Sequence, residues 1–181
     1  MDTTEREVWI LNLYRNSELH GALLMGRLAR TLSDTELLVR VTEHCATEAR
    51  HASLLSSAIA ELGGQIDPRV TTIQERYSSK GGVPTALVDL LVLSEVLEHR
   101  VLHTYREHAA RADAHPIVQR TLRAILHEME EEHGGEHAGW IDEVLERQPR
   151  DLVETAQRKW RAVDEGVVAE LQAQVQARFP K

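Results

Sequence analysis

Two Glu-x-x-His tetrapeptides stand in this chain, Glu48-Ala-Arg-His51 and Glu130-Glu-Glu-His133. A solitary glutamate, Glu18 or Glu98, precedes each by about one helical hairpin. On a helix, positions i and i+3 share a face one turn apart, so each tetrapeptide sets a carboxylate beside an imidazole. Burying four carboxylates and two imidazoles is costly unless positive charge neutralises them. Two divalent metal ions would do so. In that arrangement the glutamate of each tetrapeptide bridges the ions, its histidine completes one of them, and Glu18 and Glu98 are terminal carboxylates. One glutamate from each of two helices and a Glu-x-x-His from each of two others is the ligand set of dinuclear carboxylate bundles. Mixed imidazole and carboxylate ligands suit iron or manganese. Iron is the first expectation, because this ligation leaves positions open for oxygen.

Such a set needs four helices with inward faces in register, and the sequence predicts five helices. Helix 1 opens at a capping box, Thr4-x-x-Glu7, and runs to about Thr31. Helix 2 opens at Ser33-x-x-Glu36 and stops at Gly63-Gly64. Helix 3 runs from near Pro84 to about Ala112, and helix 4 from Pro116, in its first turn, to about Arg147. Helix 5 follows Pro149, capped by Asp151-x-x-Glu154, and fades near Phe179. The joints between helices 1 and 2 and between 3 and 4 are short, so each pair is an antiparallel hairpin. The Gly63–Gly82 segment is long enough to cross the bundle end to end. The expected fold is all-α: two hairpins joined by a crossover, with residues 5–147 as the core and 151–178 as an accessory helix of one domain.

The apolar stripes decide whether the acids face inward. Helix 1 shows Leu11, Tyr14, Ala22, Met25 and Leu28 or Ala29, with Glu18 on the same face. Helix 2 shows Leu37, Val41, His44, Glu48, His51, Leu55, Ile59 and Leu62. Helix 3 offers Leu87, Leu91, Glu98, Leu102, Tyr105 and Ala109. Helix 4 offers Val118, Leu122, Leu126, Glu130, His133, His137, Trp140 and Val144. Taken alone the tetrapeptides say little, since one such spacing is expected by chance in a chain this rich in Glu and His. Their joint placement says more: both lie on even-numbered helices, both single acids on odd-numbered ones, all at mid-helix. Glu95 competes with Glu98, and His137 with His133, each one turn away. His44 also faces the core, as an extra ligand, a proton relay or an ordinary hydrogen-bonded ring. Tyr14 and Tyr105 are packing residues that also have the chemistry to donate to a ligand carboxylate or carry an oxidising equivalent.

Composition narrows the function. A net charge of -8 argues against an electrostatic nucleic-acid binder. One cysteine, Cys45, excludes an internal disulfide and a CxxC motif. No apolar run spans a membrane and the N-terminus does not read as a signal peptide, so the expected compartment is the cytoplasm. Helix 5 carries one apolar face, Leu152, Ala156, Trp160, Val163, Val167, Leu171 and Val175. That face is expected to lie across the bundle or to pair subunits in a homodimer or higher oligomer.

Over about residues 5–147 the sequence resembles the ferritin-like superfamily, most closely its bacterioferritin and rubrerythrin branch. The resemblance rests on Glu48-Ala-Arg-His51-Ala with Leu62-Gly63-Gly64, on Glu18 with Met25 and Ala29, and on Glu98 with Tyr105 and Ala109. It implies a ferritin-like bundle and a non-haem di-iron carboxylate centre, with manganese as an alternative at one position. The metal ligands would be Glu18, Glu48, His51, Glu98, Glu130 and His133, with Tyr105 as a catalytic residue. The implied activity is an oxidoreductase that uses O2 or peroxide on a small substrate; a ferroxidase or iron-storing relative, acting on Fe(II), is the alternative. Ala49 stands where bacterioferritins carry a haem-binding methionine, so no haem is expected. A rubredoxin-type domain cannot be built from one cysteine. Trp140 sits three residues after His137, the spacing that follows the ligand histidine in bacterioferritin-like sequences.

Overall fold

The computed structural model describes residues 3–134 and 140–180, with side chains for 4–130 and 140–180. Seven helices occur among the described residues: α1 Thr3–Ala29, α2 Thr35–Glu61, α3 Ile73–Gly81, α4 Leu87–Ala110, α5 Pro116–Gly134, α6 Trp140–Glu146 and α7 Arg150–Arg178. No strand is found among those residues, and none of these helices is long and apolar enough to cross a membrane. The five expected helices correspond to α1, α2, α4, the α5 and α6 pair, and α7. α3 was not expected. Nine residues are too few to reveal a period, yet its start is well marked. Glu75 N–H donates to Thr72 Oγ1 at 3.1 Å and Thr72 N–H to Glu75 Oε2 at 2.7 Å, a reciprocal capping box.

The caps differ from those expected elsewhere. Asp34, not Ser33, caps α2 by accepting from Leu37 N–H at 2.8 Å. α1 already includes Thr3, and Glu7 points into the core rather than back at a cap. Pro149 precedes α7, and Glu154 pairs with Arg150 at 2.7 Å. Gly63 ends α2 as expected. Its φ of 72° lets Gly63 and Gly64 N–H donate to the carbonyls of Ala60 and Ile59, both at 2.9 Å.

Paired residues set the helix directions. Arg15 meets Ser56 and Ala22 meets Cys45, so α1 and α2 run antiparallel. Glu7 meets His108 and Glu18 meets Tyr105, so α1 and α4 also run antiparallel. Glu61 meets Arg120 and Glu128 meets Arg50, which sets α5 against α2. α2 and α4 therefore run the same way, and the chain between them must return along the bundle. It does so against α1. Asn12 holds Gln65 O at 3.0 Å and Asp67 N–H at 2.7 Å. Asn16 holds Asp67 O at 2.9 Å and Val70 O at 3.2 Å. Ser17 accepts from Ile73 N–H at 3.0 Å and its carbonyl accepts from Gln74 Nε2 at 2.9 Å. These polar residues are buried on α1 because the crossover backbone they serve would otherwise be unsatisfied.

The last helix, α7, lies against the bundle of its own chain. It buries Ala156, Trp160 and Val167 and packs against α3 and α4. Asp164 is the pin. It accepts from Arg100 Nε at 2.9 Å, from the same guanidinium's Nη2, and from the Tyr77 hydroxyl. Burial would raise the Asp164 carboxyl, but the bonds from Arg100 and Tyr77 outweigh it and hold it below the ordinary carboxylate range. Asp164→Ala is expected to cost about 1–3 kcal/mol in urea denaturation at neutral pH, because a buried phenol and a half-buried guanidinium lose their partner. Since the folded value is lowered, this contribution is complete above the unfolded Asp pKa. The gap between variant and wild type should shrink only as pH falls below about 4.

Candidate metal centre

A polar cluster inside the bundle starts at Gly21, where α1 faces α2. A Cβ on Gly21 would lie 1.9 Å from Glu48 Oε2, so only the missing side chain at this position lets the Glu48 carboxylate turn into the bundle. Glycine inside a helix costs about 1 kcal/mol relative to alanine, and here that cost clears space for an acid. One turn along α2, His51 is 3% exposed and its Nδ1 lies 3.4 Å from Glu18 Oε2. Glu18 is itself buried, and Tyr105 on α4 donates its hydroxyl to Glu18 Oε1 at 2.5 Å. Glu18, Glu48, His51 and Tyr105 are thus brought together.

α4 adds Glu98 through His44, whose Nε2 stands 3.3 Å from Glu48 Oε1 and 3.5 Å from Glu98 Oε1. Glu95 lines the same cavity, with Oε2 buried and lacking a hydrogen-bond partner among the described residues. From α5 the residue that arrives is Glu128. Its Oε2 lies 3.2 Å from His51 Nε2, and its other oxygen pairs with Arg50. Glu130, expected as a ligand, is not brought in: it is exposed and paired with Arg106 at 2.8 Å. The inward line of α5 is Leu122, Ile125, Leu126 and Met129. Glu130 follows Met129 by about 100° of rotation, which carries it out of the bundle. The side chain of His133, and all of His137, lie outside the described residues.

The cluster's own charges shape its protonation. Burial pushes the Glu48 carboxyl above the ordinary carboxylate range; the bond to His44 opposes this and the nearby Glu18 charge adds to it. Burial alone would lower His51. Its hydrogen bond to Glu18 and the charges of Glu18, Glu128 and Glu48 outweigh burial and hold the ring above the usual imidazole value. The cluster therefore binds protons that a cation would displace.

Its donor set fits a metal. Ligands about 2.1 Å from one ion lie about 3.0–3.4 Å apart, close to the imidazole–carboxylate separations of 3.2–3.5 Å found here. His51 Nε2 and Glu128 Oε2 are buried and face each other without hydrogen-bond geometry. As they stand the side chains meet in pairs, and no three His, Cys, Asp or Glu among the described residues close on one point. The cluster opens into a cavity of about 570 Å³ with a mixed wall, Leu24, Leu97, Val101, Leu102 and Met129 beside Arg40, Glu43, Glu95 and Asp142.

No family model, curated protein or solved structure matches this chain. The site is therefore argued from its own residues. Sequence reasoning missed Gly21 and Glu128. A glycine at mid-helix, three residues after Glu18, was the available sign of the first. For the second the sign was phase: Met129 follows Ile125 and Leu126 on the inward line, placing Glu128 at its edge.

Gly21→Ala separates site from fold. The added methyl favours the helix, so thermal stability should stay level or rise, while displacement of Glu48 should weaken Fe(II) or Mn(II) binding at least tenfold by titration calorimetry.

Proposed function

We propose that this protein is a ferritin-like, non-haem metal-dependent oxidase or oxygenase that uses O2 or peroxide on a small substrate. The observation that carries the reading is the meeting of Glu18, Glu48, His51 and Glu98, with His44 and Glu128 beside them, at an internal cavity. The hairpin, crossover, hairpin order supports the ferritin-like part. Those four residues would hold two iron ions, or iron and manganese, with Glu128 in the place first expected for Glu130. A bound metal pair supplies the electrons and open coordination positions that dioxygen chemistry requires.

The chain's own residues do the rest. Tyr105 holds Glu18 in one orientation through its hydroxyl. Burial raises the Tyr105 phenol well above its ordinary range, and the Glu18 charge adds to this, so it remains a donor at neutral pH. Leu24, Met25, Leu97 and Met129 give one side of the cavity an apolar surface for a substrate. Glu43, Glu95 and Asp142 on the same wall also offer Fe(II) a carboxylate-lined approach, so Fe(II) itself is the second candidate substrate.

Anaerobic Fe(II) loading followed by desalting and metal analysis tests the first half. About two irons per chain should remain, fewer in Glu48→Ala and His51→Ala, and an unchanged amount in Glu130→Ala. A protein that retains no iron sinks the proposal. Oxygen uptake tests the second half: rapid turnover driven by excess Fe(II) alone would assign a ferroxidase instead.

A further inference from the structure

Two divalent ions would balance Glu18, Glu48, Glu98 and Glu128, but the cavity carries further charge. Arg40 is the one arginine or lysine on its wall among the described residues. The side chain is largely buried, and its Nη1 makes no hydrogen bond among those residues. The guanidinium meets Glu36 at 2.9 Å and Glu143 at 3.5 Å. Both acids are exposed, so solvent screens these pairs and they are weakly held. Three acids on the wall stand outside the cluster. Glu43 and Asp142 are exposed to solvent, whereas Glu95 Oε2 is buried and has no hydrogen-bond partner among the described residues.

Helix direction puts Arg40 and Glu95 at one end of the cavity. α2 and α4 run the same way, and His44 on α2 stands 3.5 Å from Glu98 on α4. Arg40 precedes His44 by four residues and Glu95 precedes Glu98 by three. At about 1.5 Å per residue, each charge lies about one helical turn from the cluster, on the same side of it. A buried guanidinium N–H without an acceptor and a buried carboxylate oxygen without a donor both destabilise the fold. A ligand carrying both charges answers both groups. A simple acid would pair with Arg40 but set a second negative charge beside Glu95. A simple amine would pair with Glu95 and be repelled by Arg40, as would Fe(II).

We propose that the substrate of this cavity is a small apolar α-amino acid, its carboxylate paired with Arg40 and its ammonium with Glu95. The proposal rests on the metal-dependent reading for its chemistry and on the chain's own charges for its binding. The carboxylate accepts from the guanidinium in place of Glu143, which returns to solvent. The apolar side chain lies along Leu97, Val101 and Leu102, which follow Glu95 on α4 toward the cluster. A cavity of about 570 Å³ has room for such a molecule.

Titration calorimetry under argon, on metal-free and on Fe(II)-loaded protein, tests the assignment with L-leucine and L-phenylalanine as probes. Each is compared with the acid that lacks its ammonium and the amine that lacks its carboxylate: 4-methylpentanoate and 3-methylbutylamine, or 3-phenylpropanoate and 2-phenylethylamine. At least one amino acid should bind, at least about tenfold more tightly than its acid and its amine. No binding up to about 10 mM, or equal binding of acid or amine, overturns the proposal. Arg40→Gln should weaken amino acid and acid alike, whereas Glu95→Gln should weaken the amino acid alone. Glu143→Gln should leave binding level or tighter. A loss equal to that in Arg40→Gln would make Arg40 a tie between α2 and α6 and nothing more. Glu95→Gln should retain iron as wild type does; loss of iron would make Glu95 a metal ligand and sink its role here. Amino-acid binding by a protein that retains no iron removes the metal reading and leaves this site standing. Iron retention without amino-acid binding does the reverse.

Discussion

A polar group inside a helical bundle must find a partner, and among the described residues α1 carries more such groups than any other element. Glu7, Asn12, Asn16, Ser17 and Glu18 are all buried on it. Three parts of the molecule answer them: α4 meets Glu7, the crossover meets the next three, and α2 and α4 together meet Glu18. α1 therefore selects its neighbours by hydrogen bonding as well as by apolar contact. Leu11, Met25 and Leu28 supply burial energy that is indifferent to register; the polar groups supply the register.

That division explains what was legible in the sequence. The apolar period located α1, α2, α4, α5 and α7, and the helix directions follow from loop length and from the time-honoured stop at Gly63-Gly64. Glu18, Glu48, His51 and Glu98 were found because they interrupt oily stripes. Polar residues at positions where a hydrophobic pattern admits either reading were not. Asn12 and Asn16 look like ordinary solvated positions until the crossover is laid over them. Glu7 reads as a capping acid because its partner, His108, is distant in sequence. Glu130 was misplaced because an i+4 step from Leu126 was followed without checking it against Ile125 and Met129. In a helix of 3.6 residues per turn, repeated steps of four drift off the face they began on.

Two polar networks meet at one aromatic pair. Tyr14 belongs to the Glu7 and His108 side, Tyr105 to the Glu18 and His51 side, and their rings touch. Both lie between α1 and α4, which run antiparallel. A shift of one helix along the other would break both networks at once. Neither network alone requires tyrosine at both positions; the joint arrangement does.

Sequence distance gives the cluster an order of assembly. Glu18, Gly21, Glu48 and His51 all belong to the first hairpin, whose contacts are local and close at small entropic cost. Glu98 and Glu128 join only after the crossover has returned the chain along α1. A nascent chain that has released only α1 and α2 thus holds two carboxylates and one imidazole on a face still wet. Water screens them there at little cost. The burden of burying that charge falls on the second hairpin as it docks, so the last helices to arrive are the ones that need a cation or a proton already in place.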